Sequence, residues 1–267
     1  MLSNFTLGQY FTADSFIHRL DPRFKLTELI VFYVFVFIAD SFLSIALLCL
    51  FLLLIIALSK VPLKLYLKNL KIILPIVIIT ALLNAFYVSD GRVLFSWWIV
   101  SVSTGGLIRA ALMSARILLL ILFSAVLTYT TTPTALTDAI ESLLSPLKFI
   151  GLGEAVHTLA MMMTITLRFI PSLTEETDKI ISAQKARGAD FESGGLITKV
   201  KAFLPVLIPL FLSSVRRAYE LATAMECRCY TGGKGRTRMK KLHATKYDYV
   251  TAGVCIIISA LIIVLKN

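Results

Sequence analysis

The chain has 267 residues, of which 57% are hydrophobic, and it carries a formal net charge of +11. Its mean hydropathy of +0.83 is far above that of a typical soluble domain, which argues against a soluble enzyme. The four cysteines predict neither a disulfide framework nor a metal site, since Cys227-x-Cys229 has no histidine or third cysteine nearby.

Apolar runs in five places are long enough to cross a bilayer, which takes about 20 residues. They lie at about 25–40, 41–58, 72–89, 106–129 and 247–265. Two further apolar runs, 150–171 and 202–215, contain Pro171, Pro205 and Pro209, and they are either embedded, interfacial or buried. We therefore predict an all-α, polytopic membrane protein.

The predicted organisation has three parts. Residues 1–149 hold four membrane helices, residues 150–246 form a coupling region whose long helices end at two arginine motifs, and residues 247–267 form the last membrane helix. The loop 59–71 carries four lysines and no acid, and residues 168–246 carry 15 Lys and Arg against 7 Asp and Glu. The positive-inside rule places both segments, and with them the N-terminus, on the cytoplasmic side of the cell membrane. Residues 1–25 lack the apolar core of a signal peptide.

Three polar features accompany the predicted spans. Asp21 is placed to cap a helix that Pro22 opens, followed by Arg23. Arg116 lies within the fourth span, where it is either a functional group or a tie between helices. His157 on an apolar run is favoured as a packing residue.

The polar region predicts two long helices. Ser172-x-x-Glu175 matches a capping box and predicts a helix that begins there and ends near Arg187, before Gly188. A second helix is predicted from about 196 to 230, bent at Pro205 and Pro209.

The two predicted helices end in matching sequences, forty-one residues apart. Ala183-Gln184-Lys185-Ala186-Arg187-Gly188 aligns with Ala224-Met225-Glu226-Cys227-Arg228-Cys229. Each arginine has small residues at −4, −1 and +1, so the backbone of a narrow helix tip could approach a wall while the guanidinium pairs with a carboxylate. The alternative is a solvated cation at a helix C-terminus. The same offset pairs Glu175-Glu176 with Arg216-Arg217, which predicts a contact if the helices cross.

Motifs of catalysis are not evident. Gly232-Gly233-Lys234-Gly235 lacks the spacing of a phosphate-binding loop, and the predicted spans contain almost no acids. An integral-membrane enzyme and a stand-alone secondary carrier stay open as alternatives. Nucleic-acid binding is disfavoured because aromatic residues are sparse among the basic ones in 168–246.

The chain resembles the transmembrane T component of energy-coupling factor transporters, a family that includes the cobalt-transport Q proteins. The resemblance covers essentially the whole chain and rests on three segments. They are Leu20-Asp21-Pro22-Arg23-x-Lys25-Leu26, Ala186-Arg187-Gly188, and the stretch from Ala224 through Glu226, Arg228 and Tyr230 to Gly233. Cys227 and Cys229 stand where the family pattern has Ala and Gly. The tail Gly233–Thr237 is more similar to the shared-module branch of Gram-positive bacteria than to the cobalt or nickel branch.

The resemblance implies a non-catalytic scaffold in a vitamin or micronutrient importer. It implies two cytoplasmic ABC ATPases that bind the ATP, one or several exchangeable substrate-binding S components, and no cofactor or metal on this chain. The docking residues it implies are Ala186, Arg187, Gly188, Glu226, Cys227, Arg228, Cys229 and Tyr230. Asp21, Pro22, Arg23, Arg116, Pro205 and Pro209 are the structural or interface candidates.

Overall fold

The computed structural model of the protein describes residues 10–87, 93–97, 100–191, 195–233 and 242–266. These residues form eight α-helices, a short 3-10 helix and one β-hairpin. The α-helices are α1 (Pro22–Ile38), α2 (Phe42–Ser59), α3 (Leu63–Tyr87), α4 (Thr104–Thr130), α5 (Pro133–Leu143), α6 (Gly153–Ala186), α7 (Leu196–Cys227) and α8 (Lys246–Lys266). The 3-10 helix is Ser145–Ile150, and the strands are β1 (Val93–Trp97) and β2 (Val100–Ser103). The prediction of an all-α membrane protein is confirmed, with the hairpin as a small addition.

The chain divides into two compact units, and the boundary falls within α5. The bundle unit comprises the described residues of 10–139 and 242–266. Its core is made by α1, α2, α3, α4 and α8, where Phe32 stacks on Phe123 with ring centroids 4.9 Å apart. Leu48 and Ile262 are fully buried in it. The α6–α7 unit comprises the described residues of 140–233.

Five helices of the described chain are long and apolar enough to span a membrane: α2, α3, α4, α6 and α8. The predicted set differs in one member, because α1 has only 17 residues. At 1.5 Å per residue it is about 26 Å long, slightly less than the hydrocarbon core. The apolar part of α6 qualifies because the helix continues through Pro171.

The prediction of a lysine-rich loop over residues 59–71 is wrong from residue 63 onward. α3 begins at Leu63, so that Lys64, Lys68 and Lys71 belong to its first turns. Their spacing of four and three residues puts them on one face of the helix, and their aliphatic stems allow the ammonium groups to reach the membrane surface. Lys60 ends α2 in the left-handed conformation, with φ of 55°.

The hairpin between α3 and α4 is not predicted from the sequence. β1 pairs with β2 in antiparallel fashion, with Val93 opposite Ser103 and Trp97 opposite Val100. The register is irregular between Val93 and Phe95. Ser103 follows directly as the N-cap of α4, where its hydroxyl accepts a hydrogen bond from the Gly106 N–H at 3.0 Å.

The α6–α7 unit contains two long helices of 34 and 32 residues. The helix start predicted at Ser172 is wrong, since α6 runs without interruption from Gly153 and contains Pro171. Likewise, α7 contains both Pro205 and Pro209. A proline removes one hydrogen bond of the helix, and a long helix that packs against a neighbour tolerates that loss.

The two long helices run antiparallel. Phe191, just after α6, contacts Phe203 near the start of α7, with ring centroids 5.2 Å apart. Glu176 of α6 pairs with Arg217 further along α7. His157, near the start of α6, lies against Gly233 beyond the end of α7. Since the contacts move in opposite directions along the two helices, their C-terminal ends point away from one another.

Candidate functional site

The C-terminal end of α6 is closed by a compact turn built around Arg187. The last helical residue is Ala186, and Arg187 follows at φ −86° and ψ 7°. The N–H of Gly188 donates to the Lys185 carbonyl, and the N–H of Ala189 donates to the Gln184 carbonyl, both at 3.0 Å. Gly188 has φ of 86°, so this end is a Schellman motif with glycine in its left-handed position.

The C-terminal end of α7 repeats this geometry around Arg228. Arg228 follows the helix at φ −93° and ψ 14°. The N–H of Cys229 donates to the Glu226 carbonyl at 2.8 Å, and the N–H of Tyr230 donates to the Met225 carbonyl at 3.0 Å. Cys229 takes the left-handed position with φ of 54°. The two matching sequences therefore form two matching backbone structures, here called the Arg187 tip (186–188) and the Arg228 tip (226–230).

Both tips present their arginines to the outside. Arg187 and Arg228 are exposed, as are the small residues on either side of each. No described residue makes a hydrogen bond or ion pair with either guanidinium. Each arginine also lies at the negative end of a helix dipole, which stabilises its charge. Two exposed, narrow, positively charged helix ends are suited to binding carboxylates on another protein.

The left-handed position distinguishes the two tips. A left-handed conformation costs a residue with a side chain about 1–2 kcal/mol, and glycine avoids this cost. We expect Cys229→Gly to stabilise the Arg228 tip and Gly188→Ala to destabilise the Arg187 tip, each by about 1 kcal/mol. A methyl group on Gly188 would meet no atom within 4 Å. The change in stability of the Gly188→Ala variant is therefore determined by the backbone conformation alone.

Hydrogen–deuterium exchange of amides 184–189 and 225–230 measures this prediction. Protection should rise in the Cys229→Gly variant and fall in the Gly188→Ala variant, each at its own tip. Gly195→Ala is the control, because Gly195 has φ of −72° and open space around it. Equal exchange rates in all variants would contradict the cost assigned to a side chain in the left-handed position.

A charged clasp joins α6 and α7 between the tips. One guanidinium nitrogen of Arg217, Nη2, lies 2.5 Å from Oε2 of Glu176, and Nη1 donates a hydrogen bond to the hydroxyl of Ser172. The predicted meeting of these opposite charges is confirmed for Glu176 and Arg217, whereas Glu175 and Arg216 are exposed. Arg187 lies eleven positions after Glu176, and Arg228 lies eleven positions after Arg217. The clasp is therefore at equal contour distance from both tips.

The helical surface beside the clasp is apolar. A cavity of about 300 Å³ extends from Arg217 along both helices. Its apolar lining includes Ile165, Phe169, Leu173, Leu221 and Met225. The side chains of Arg217 and Glu176 are only 32% and 24% exposed, so the pair is partly shielded from water and its attraction exceeds that of a surface ion pair.

A known protein family matches most of the sequence of this chain. The family described as "CbiQ: Cobalt transport protein" matches residues 13–239, a range that includes both tips and the clasp.

The chain belongs to the CbiQ family.

Relatives with similar sequences agree along the whole chain. The energy-coupling factor transporter transmembrane protein EcfT of Clostridium kluyveri is 49% identical over 268 residues, with 100% of this chain and 98% of the relative covered. EcfT of Ruminiclostridium cellulolyticum is 48% identical over 266 residues with the same coverage, and EcfT of Bacillus subtilis is 45% identical with both chains fully covered. The resemblance to the T component is thereby confirmed. This CbiQ-family chain is a multi-pass membrane protein.

The predicted N-terminal motif of this CbiQ-family protein lies in the bundle unit. Asp21 caps α1, since its Oδ1 accepts a hydrogen bond from the Arg23 N–H at 2.9 Å, and Pro22 occupies the first turn. The predicted cap is confirmed. Lys25 of the same motif is buried, and its ammonium group donates to the Thr130 carbonyl at 3.0 Å, which joins α1 to the end of α4.

A buried aspartate that the sequence analysis missed connects to this motif. Asp248 of α8 is 0% exposed, and its Oδ1 accepts a hydrogen bond from the Asp21 N–H at 2.7 Å. Its Oδ2 accepts from the N–H and the hydroxyl of Thr245, at 2.6 and 2.7 Å. The pattern Thr245-x-x-Asp248 resembles a capping box and could have indicated the helix start, but not the contact with Asp21.

Arg116 acts as a tie between helices. Its Nη2 donates to the Ala39 carbonyl at 2.9 Å and to Oδ1 of Asp40 at 3.2 Å, just after the end of α1. The Arg116 side chain is 12% exposed. Of the two interpretations offered for Arg116, these contacts favour the tie.

Two of the described histidines, His18 and His157, are engaged in structural contacts, whereas His243 is exposed. Nδ1 of His18 lies 2.7 Å from the Ser15 hydroxyl, and Nε2 of His18 lies 2.9 Å from the Phe11 carbonyl oxygen. Burial lowers the pKa of His18 below its ordinary value. His157 pairs through Nδ1 with Oε1 of Glu141 at 3.3 Å. Within the described residues, no group of three potential metal ligands lies together.

Proposed function

We propose that this protein is the energy-coupling scaffold of an ECF-type importer, which links two cytoplasmic ABC ATPases to a substrate-binding membrane subunit. The observation that carries the proposal is the pair of exposed Arg187 and Arg228 tips, which have the same cap geometry and are equally far from the Glu176–Arg217 clasp. Two equal tips fit two related sockets. The names of the relatives, transmembrane proteins of energy-coupling factor transporters, support the same function.

The proposed ATPase contact is electrostatic and close. Each guanidinium forms a bidentate ion pair with a carboxylate in a groove of one ATPase, and the small flanking side chains allow the helix end to enter that groove. In this proposal the ATPases bind the ATP, and this chain is not itself catalytic. ATP-driven closure of the two ATPases displaces the tips, and α6 and α7 transmit the displacement.

The proposed surface for the S component is apolar. α6 exposes Leu159, Met162 and Met163, and α7 exposes Leu204, Leu207, Ile208, Phe211 and Leu212. Apolar patches of this kind mark protein or membrane contacts, and methionine adapts to differently shaped partners. Such adaptability suits a scaffold that accepts several S components, each with its own vitamin or micronutrient.

The proposed orientation has the N-terminus and both tips in the cytoplasm of a cell-membrane protein. The lysines at the start of α3 and the basic excess of 168–246 support it. In this arrangement α1, despite its 17 residues, crosses the membrane together with α2, α3, α4 and α8.

A pull-down through a tag on this chain, from detergent-solubilised membranes, tests the proposal. We expect mass spectrometry to find two ABC ATPases and at least one small membrane protein, in amounts that scale with the tagged chain. An untagged strain gives the background. Recovery of this chain alone, under conditions that preserve another membrane complex of the same cells, would contradict the scaffold and favour a membrane enzyme or a stand-alone carrier.

A further inference from the structure

The segment that follows the Arg228 tip returns to the start of α6. Gly232 turns the chain with φ of 98°, and Gly233 then lies against the imidazole ring of His157. A Cβ atom on Gly233 would lie 2.7 Å from Cγ and 3.2 Å from Nε2 of His157, and closer still to its Cδ2. There is no room for a side chain at this position.

The requirement for glycine at this position comes from the contact, not from the backbone. Among the described glycines, positive φ values occur at Gly151, Gly188 and Gly232, and Gly233 is not one of them. An alanine could therefore adopt the backbone of Gly233, and the neighbouring imidazole is what excludes it. The close approach of the two groups is a specific feature of the fold.

The histidine is itself held from the other side. Nδ1 of His157 lies 3.3 Å from Oε1 of Glu141 on α5, and the Glu141 side chain is only 14% exposed. Gly233, His157 and Glu141 thus form a continuous line of contacts from the Arg228 tip, across α6, to α5. We call this line the glycine–histidine brace.

We propose that the glycine–histidine brace passes displacements of the Arg228 tip to α5, with His157 as a positioning residue. The inference rests on the proposed function, in which an ATPase moves that tip. α5 is the helix through which the chain passes from the bundle unit to the α6–α7 unit. Gly233 lies only five positions after Arg228, so the segment between the tip and the brace is short enough to transmit a movement of the tip.

The test uses the complete transport complex, reconstituted in liposomes with its ATPases and one S component. The quantity measured is ATP hydrolysed per substrate molecule imported, because a residue that merely supports folding lowers both rates together. We expect Gly233→Ala to raise this ratio about fivefold while ATPase recovery is unchanged. Gly195→Ala, the same substitution in open space, should leave the ratio at the wild-type value.

A double-variant cycle then tests the contact itself. In a His157→Ala background the ring is gone, so adding Gly233→Ala should change the ratio no further. Glu141→Gln leaves Gly233 untouched, keeps the size of the side chain, and should raise the ratio in the same direction by a smaller factor. A wild-type ratio in Gly233→Ala, or an equal effect of this substitution with and without His157, would overturn the brace. Failure of the wild-type chain to recover any ATPase would instead overturn the proposed function.

Discussion

Reversing the charge of either tip arginine should weaken the proposed assembly with the ATPases, and reversing both should abolish it. An arginine whose loss leaves a buried partner carboxylate unpaired costs about 2–5 kcal/mol. Every 1.4 kcal/mol or so is a factor of ten, so each Arg187→Glu or Arg228→Glu change should weaken its contact by about 30-fold or more. The second tip still binds in a single variant, which keeps part of the complex together.

Copurification of the ATPases with tagged variants measures this effect. Arg216→Glu is a matched control, because it changes the charge by the same amount as the tip substitutions. Arg216 is exposed on α7 and lies twelve positions before Arg228. We expect Arg216→Glu to recover the ATPases like the wild type. Normal recovery and transport in the Arg187→Glu, Arg228→Glu double variant would rule out the tips as docking sites. Membrane insertion should be unchanged in all variants, since both arginines lie outside the bundle unit.

Removing the carboxylate of Asp248 should destabilise the bundle unit strongly. The fully buried Asp248 accepts three hydrogen bonds, one from Asp21 and two from Thr245. It also lies at the N-terminal end of α8, where the helix dipole stabilises a negative charge. Asp248→Ala leaves the three donors without their acceptor, and we expect a loss of about 3–5 kcal/mol in the free energy of unfolding.

Thermal unfolding in detergent micelles measures the loss. Asp248→Asn keeps one acceptor oxygen and should give an intermediate value. Asp14→Ala is the control, because the Asp14 side chain is 84% exposed and its pair with Arg19 is a surface ion pair that contributes about 1 kcal/mol at most. Equal unfolding temperatures of the Asp248→Ala and Asp14→Ala variants would contradict the stabilising role assigned to the buried carboxylate.

The sequence predicted the features that depend on local chemistry. The spans at 41–58, 106–129 and 247–265 differ by no more than two residues from α2, α4 and α8, because long apolar runs bounded by polar residues determine where such helices lie. The cap at Asp21 and the two arginine tips were also predicted, since caps and C-terminal glycines act over a single turn.

The errors arise where a local pattern competes with packing. Ser172-x-x-Glu175 has the pattern of a capping box, yet Ser172 accepts a hydrogen bond from Arg217 of α7 in the interior of α6. The charge of the lysines at the start of α3 favours a loop, whereas their spacing of four and three residues fits one face of a helix, and the structure has the helix. The contact of Asp248 with Asp21 was not predicted, because the two residues are 227 positions apart in the sequence and no local pattern indicates such a contact.

The antiparallel course of α6 and α7 makes the Glu176–Arg217 clasp the centre of a balanced lever. Each arm extends eleven residues beyond the clasp, or about 16 Å at 1.5 Å per residue, so the two tips can stand up to about 33 Å apart. A rotation of about 10° about the clasp would carry either tip through about 3 Å. Because the arms are equal, leverage would favour neither of the two proposed ATPases. In the proposed function, the residues beside the arginines then offer a way to distinguish the two ATPases, since they are Ala186 and Gly188 at one end and Cys227 and Cys229 at the other.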